Sequence, residues 1–68
     1  MEYVSVQSSA ITAIGYDPNT ETLAVRFKSG AEHHYENVRP VQHEAFVNAP
    51  SIGRYFQQNI KGRPHHKQ

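Results

Sequence analysis

Apolar residues recur at every second position in the first half of the chain and, after Val38, at helical spacing. Tyr3-Val4-Ser5-Val6 alternates weakly and predicts a short extended lead-in. From Ile11 to Tyr16 the alternation is richer, with Thr12, Ile14 and Tyr16 on one face, and it stops at Asp17-Pro18-Asn19-Thr20. That tetrapeptide reads as a turn. Asp suits its first position, Pro pre-sets φ at the second, and Asn tolerates the conformation that closes it. A four-residue loop from Asp17 to Thr20 would pair Ile14 with Leu23 and keep both on the core side. Thr22 to Lys28 is the clearest strand, setting Leu23, Val25 and Phe27 against Ala24, Arg26 and Lys28.

The length of the next loop follows from what it brings opposite the Leu23, Val25, Phe27 face. A two-residue Ser29-Gly30 loop would turn Glu32, His34 and Glu36 onto that face, burying carboxylates at several kcal/mol each. A three-residue loop ending on Gly30 in the left-handed region aligns Ala31, His33 and Tyr35 with the core instead. This register is the one expected.

Beyond Val38 the period changes. Pro40 fits the first turn of a helix, where its missing N–H has no partner to lose, and Val41, Ala45 and either Phe46 or Ala49 form the expected stripe. Pro50 ends that helix. Ser51 is a good N-cap for a second one, in which Ile52, Tyr55, Phe56 and Ile60 recur, and Gly62 stops it ahead of Pro64. The pattern predicts an α+β domain: a three-stranded antiparallel β-meander over residues 11 to 16, 22 to 28 and 31 to 37, then two short C-terminal helices packed on one face. The expected core is Ile14, Leu23, Val25, Phe27, Tyr35, Val38, Phe46, Ile52, Phe56 and Ile60. Residues 1 to 64 form a single domain in this reading, and His65-His66-Lys67-Gln68 a flexible tail.

Sixty-eight residues allow one small domain, and without cysteine it must hold by packing alone. Three Phe and four Tyr supply enough burial for a compact core, but not for a deep ligand pocket. The Met1-Glu2 start and the shortness of every apolar run predict no secretory leader and no membrane segment, hence a cytoplasmic protein, with a monomer favoured. Net charge is +1, yet its distribution is uneven. Residues 1 to 44 carry all six acids against Arg26, Lys28 and Arg39, a balance of −3, while residues 45 to 68 carry Arg54, Lys61, Arg63 and Lys67 with no acid, a balance of +4. Such a segment is either a solubilising end or a surface for a polyanion.

Five histidines raise the question of a metal, and their spacing argues against one. His33 and His34 are adjacent on a strand and face opposite ways, and neither helix carries two His at ligand spacing. Ser8, Ser9, Ser29 and Ser51 fall in turns or caps, and the carboxylates lie on polar faces, so no catalytic residues, metal or cofactors are expected and the chain reads as a non-enzyme. What remains is the interleaving of cations and aromatics in Arg54-Tyr55-Phe56 and Ile60-Lys61-Gly62-Arg63. Cations neutralise phosphates and exposed rings stack on bases, so these residues point to RNA or single-stranded nucleic acid. At helical positions Tyr55 and Phe56 fit the core better than a stacking platform, Phe56 more so than Tyr55. Ser51 and Gly53, beside Arg54, offer backbone N–H groups to an anion, or serve only as a cap and a close approach. Arg54 and Lys61, seven residues apart on a regular helix, would emerge about 10 Å apart on nearly one face.

The ordered run Val6, Ser8-Ser9-Ala10-Ile11, Ile14-Gly15-Tyr16-Asp17, Leu23-x-Val25-x-Phe27, Gly30, Tyr35 and Val38 continues as Ala49-x-Ser51-x-Gly53-x-Tyr55-Phe56 and Ile60-Lys61-Gly62. Over residues 4 to 63 it resembles the KTSC domain, a small domain attached to some lysyl-tRNA synthetases and also found alone in bacteria and phages. The resemblance implies a small binding module, with RNA as the conjectured ligand. A protein-protein interaction module, such as a phage-borne effector of a host protein, is the alternative. Three departures stand out. His33 replaces the first aromatic of a Tyr-x-Tyr pair whose second is Tyr35, Arg39 intervenes between Val38 and Pro40, and Arg63-Pro64 replaces an aromatic after Ile-Lys-Gly. His33 and Tyr35 therefore join Arg54, Tyr55, Lys61 and Arg63 as candidate nucleic-acid contacts.

Overall fold

A computed structural model describes residues 1–62 and the backbone of 65–67. The sheet is wholly antiparallel and runs in chain order: β1 (Glu2–Ser5), β2 (Ile11–Asp17), β3 (Thr22–Phe27) and β4 (Glu32–Tyr35), with a three-residue β5 (His65–Lys67) added beside β4. Between β4 and β5 lie α1 (Pro40–Val47) and α2 (Ile52–Tyr55), the latter continuing as one π turn over Phe56–Ile60. The meander is thus larger than the three strands expected. The weakly alternating start pairs fully with β2, Tyr3 opposite Gly15 and Val4 opposite Ile14. The segment read as a tail supplies β5, with Tyr35 opposite His65 and His33 opposite Lys67.

The second hairpin has the expected register. Leu23 stands opposite Tyr35 and Val25 opposite His33, and the Phe27 N–H donates to the Ala31 carbonyl. Gly30 closes the loop at φ +97°, a conformation that a Cβ disfavours. In the first hairpin the pairing is displaced by two residues: Ile14 faces Val25, Tyr16 faces Leu23, and the loop runs from Pro18 to Glu21. The Asp17 carboxylate accepts the Asn19 N–H, and Glu21 takes the left-handed conformation (φ 55°), its carbonyl accepting the Val38 N–H. From Ile14 to Asp17 a shift of two leaves each side chain on its expected face.

At the start of β2 the pairing slips between Ile11 and Ala13. This irregularity turns Thr12 out to solvent and puts Ile11 in the core, reversing the expectation for both. Otherwise the expected core is the observed one, with Phe27 at its margin. Phe46, Ile52, Phe56 and Ile60 pack onto the sheet face bearing Ile14, Leu23, Val25 and Tyr35.

Helix α1 begins where Pro40 predicts, and the Gln42 side chain accepts the Arg39 N–H ahead of it. Its buried side matches the expected one only at Phe46. Val41 is 71% exposed and Ala45 lies in solvent, whereas His43 stacks on Tyr16 (centroids 4.4 Å apart) and Phe46 enters the core. Burial there pushes the His43 imidazole below its ordinary pKa.

Candidate nucleic-acid interface

The segment from Ser51 to Gly62 borders two clefts. The first, about 400 Å³, lies between the β1–β2 loop (Gln7 to Ala10) and residues Pro50 to Arg54, with Gln57 at its side. Its lining is mainly polar: Ser8, Ser9 and Ser51 supply hydroxyls and Arg54 the single charge among the described residues. Ser51 caps α2, its hydroxyl oxygen accepting the Arg54 N–H at 3.3 Å. A Cβ on Gly53 would meet the Ser8 hydroxyl at 3.6 Å, an ordinary contact, so close packing does not require glycine there.

The second cleft, about 240 Å³, is lined by Phe27, His33, Tyr35, Phe56 and Lys61. Four rings meet in a closed circuit around it. Phe27 contacts His33 (5.4 Å between centroids) and Phe56 (5.5 Å), while Tyr35 contacts Phe56 (5.7 Å) and His33 (6.3 Å). Tyr35 is only 2% exposed and forms floor rather than a projecting platform; His33 is half-buried and Lys61 exposed.

The π turn separates the two cations. The Lys61 N–H bonds five residues back to the Phe56 carbonyl, at 2.9 Å, instead of four. On a regular helix Lys61 would follow Arg54 along one face; here Arg54 lines the polar cleft and Lys61 the aromatic one. Tyr55 is half-buried and stacked on Phe46 at 5.5 Å, so its ring packs on the core rather than standing free. Arg63 lies outside the described residues. Phe27 and Phe56 belong to the aromatic cleft although the sequence marked them as core, because a residue at a core margin shows one edge inward and one outward. The loop from Gln7 to Ala10 carried no signal beyond its serines.

The opposite face of the sheet holds a cluster that the sequence reading overlooked. Glu32 accepts hydrogen bonds from Arg26 Nε (2.6 Å) and Tyr3 Oη (2.7 Å), and it pairs with His34 Nε2 (2.7 Å). The Arg26 guanidinium lies 3.8 Å from the Tyr3 ring centroid. Alternation along β3 and β4 puts Arg26, Glu32 and His34 on this face, and β1 adds Tyr3. The bond from Arg26, then those from His34 and Tyr3, lower the Glu32 carboxyl to about 2. A depressed carboxylate pKa stabilises the fold above the unfolded-chain value of ~4.3, and that contribution is lost as pH falls toward the folded value. Because the pair is partly exposed, with 50% of the Arg26 side chain and 21% of the Glu32 side chain accessible, solvent screening keeps the net effect small. Urea midpoints measured from pH 5 down to pH 2 should therefore fall more steeply for the parent than for Glu32→Gln; parallel curves would show that the cluster adds nothing to stability.

The KTSC domain family model matches residues 7–63, and the chain belongs to that family. It is 44% identical over 61 residues to an uncharacterized protein of Stutzerimonas stutzeri, covering 90% of this chain and 86% of that one. A protein of Tsukamurella paurometabola is 43% identical over 58 residues, covering 85% and 87%. A lysine–tRNA ligase of Nostoc is 42% identical over 57 residues, which are 84% of this chain but 10% of the ligase. The crystal structure of a KTSC domain protein from Yersinia pestis superposes with a TM-score of 0.95 at 35% identity, covering 98% of this chain and 96% of that one.

Proposed function

We propose that this KTSC domain is a non-enzymatic RNA-binding module. The observation that carries the reading is the placement of charge: from Ala45 to Gly62 the chain has no acid, and its two cations, Arg54 and Lys61, are exposed, each bordering a cleft. The likeness to a stretch of proteins named lysine–tRNA ligase supports RNA as the polyanion. An exposed groove on α1, lined by Val41, Glu44, Ala45 and Asn48, favours the alternative of a protein partner, since Val41 is the most exposed large apolar residue described.

Replacing both Arg54 and Lys61 with Ala tests the first reading. Both are exposed, so stability should change by no more than about 1 kcal/mol. RNA affinity should fall, and the slope of log K against log salt should flatten by about two. A folded double variant that binds RNA with parental affinity and slope removes this segment from the binding surface and favours the protein partner.

A further inference from the structure

We infer that the aromatic cleft is the seat of one unpaired nucleobase, which makes single-stranded RNA the ligand; this rests on the RNA-binding reading above. Four contiguous rings, from Phe27, His33, Tyr35 and Phe56, give the cleft apolar walls, and Lys61 is the sole charge among its described lining residues. A flat apolar ligand attached to a negative chain matches that combination, because the base meets the rings while its phosphate meets the ammonium. The volume, about 240 Å³, is below the ~300 Å³ at which sites for drug-sized molecules begin, and suits a single ring system. A base held in a duplex is stacked between its neighbours and cannot enter.

The π turn supports the assignment. It breaks regular helical pitch between Phe56 and Lys61, the two residues that the segment contributes to this cleft. Arg54, two residues before Phe56, is left beside the hydroxyl-lined cleft, where the strand's next phosphates would pass. One strand could thus use the cations separately, with a base seated at Lys61 and backbone at Arg54.

The test uses a fluorescent single-stranded RNA of random sequence about ten nucleotides long, its duplex, and an abasic strand of equal charge. The base-bearing strand should bind about tenfold more tightly than the abasic strand and the duplex. His33→Ala should weaken binding of the base-bearing strand several-fold and leave the abasic strand unaffected, with the melting temperature checked for both proteins. Lys61→Ala should weaken both strands. The strand comparison needs only the parent protein, so it stands even if a variant fails to fold. Equal binding of abasic and base-bearing strands overturns the base seat and leaves the RNA-binding reading intact. Binding of none of the three overturns both.

Discussion

Phe46→Ala is expected to leave the chain without a cooperative folded state. Phe46 is the only buried residue of α1, has no accessible surface, and stacks with Tyr55 of α2, so it joins both helices to the sheet core. Truncating a buried Phe costs about 3–5 kcal/mol through lost transfer energy and the cavity left behind. A single core in a chain this short supplies only about 3–5 kcal/mol in total, and no disulfide supplements it here. Far-UV circular dichroism across a urea titration reads the outcome. The variant should show no sigmoidal transition, and an unfolding free energy within about 1 kcal/mol of the parent would mean that α1 is dispensable to the core.

The second large effect is expected at Gly15→Val. A Cβ on Gly15 would lie 2.9 Å from two Tyr3 ring carbons and 3.1 Å from the Met1 sulfur, closer than packed atoms approach. Tyr3 has little freedom to retreat, since Arg26 stacks on its ring and Glu32 accepts its hydroxyl proton. Either the ring gives up both contacts or β1 leaves the sheet edge, at about 1–3 kcal/mol as for other overpacked sites. Amide exchange should show β1 deprotected while β2 and β3 keep their protection. Adding Tyr3→Ala to the valine variant should recover part of the loss, because the two positions meet. Undiminished protection of β1 in the single variant would show that Tyr3 moves aside without cost.

The two hairpins show what the sequence could and could not decide. For β3 and β4 the competing registers differ by one residue, and only one keeps Glu32 off the apolar face, so burial chemistry selects it. For β2 and β3 the competing registers differ by two, the faces are identical in both, and the choice falls to the Asp17 turn and the carbonyl of Glu21. Strand β1 is held through Tyr3 on the polar face while Val4 is 56% exposed, so the apolar alternation used to find strands is weak there. In α1 the side facing the sheet is chosen by the Tyr16–His43 stack as well as Phe46, and a count of aliphatic residues favours the wrong side.

Of the candidate residues the sequence indicated the exposure of some but not their arrangement, and Tyr55 packs on Phe46 instead of standing free. The exposure of Arg54 and Lys61 and the proximity of His33 to Tyr35 agree with the sequence. A regular pitch of 3.6 residues would carry the two cations onto one face, and nothing in Phe56-Gln57-Gln58-Asn59-Ile60 announces the π turn that parts them. Phe27 and Phe56 join the cleft through the sheet register and helix packing, both tertiary properties.

The most direct test of the RNA-binding reading is a titration of isotope-labelled protein with single-stranded RNA at low and at moderate salt, followed by amide chemical shifts. Shifts concentrated at His33, Tyr35, Arg54 and Lys61, with affinity falling steeply as salt rises, are the predicted result. No shift at low salt, or shifts confined to α1 around Val41 with affinity indifferent to salt, would contradict it.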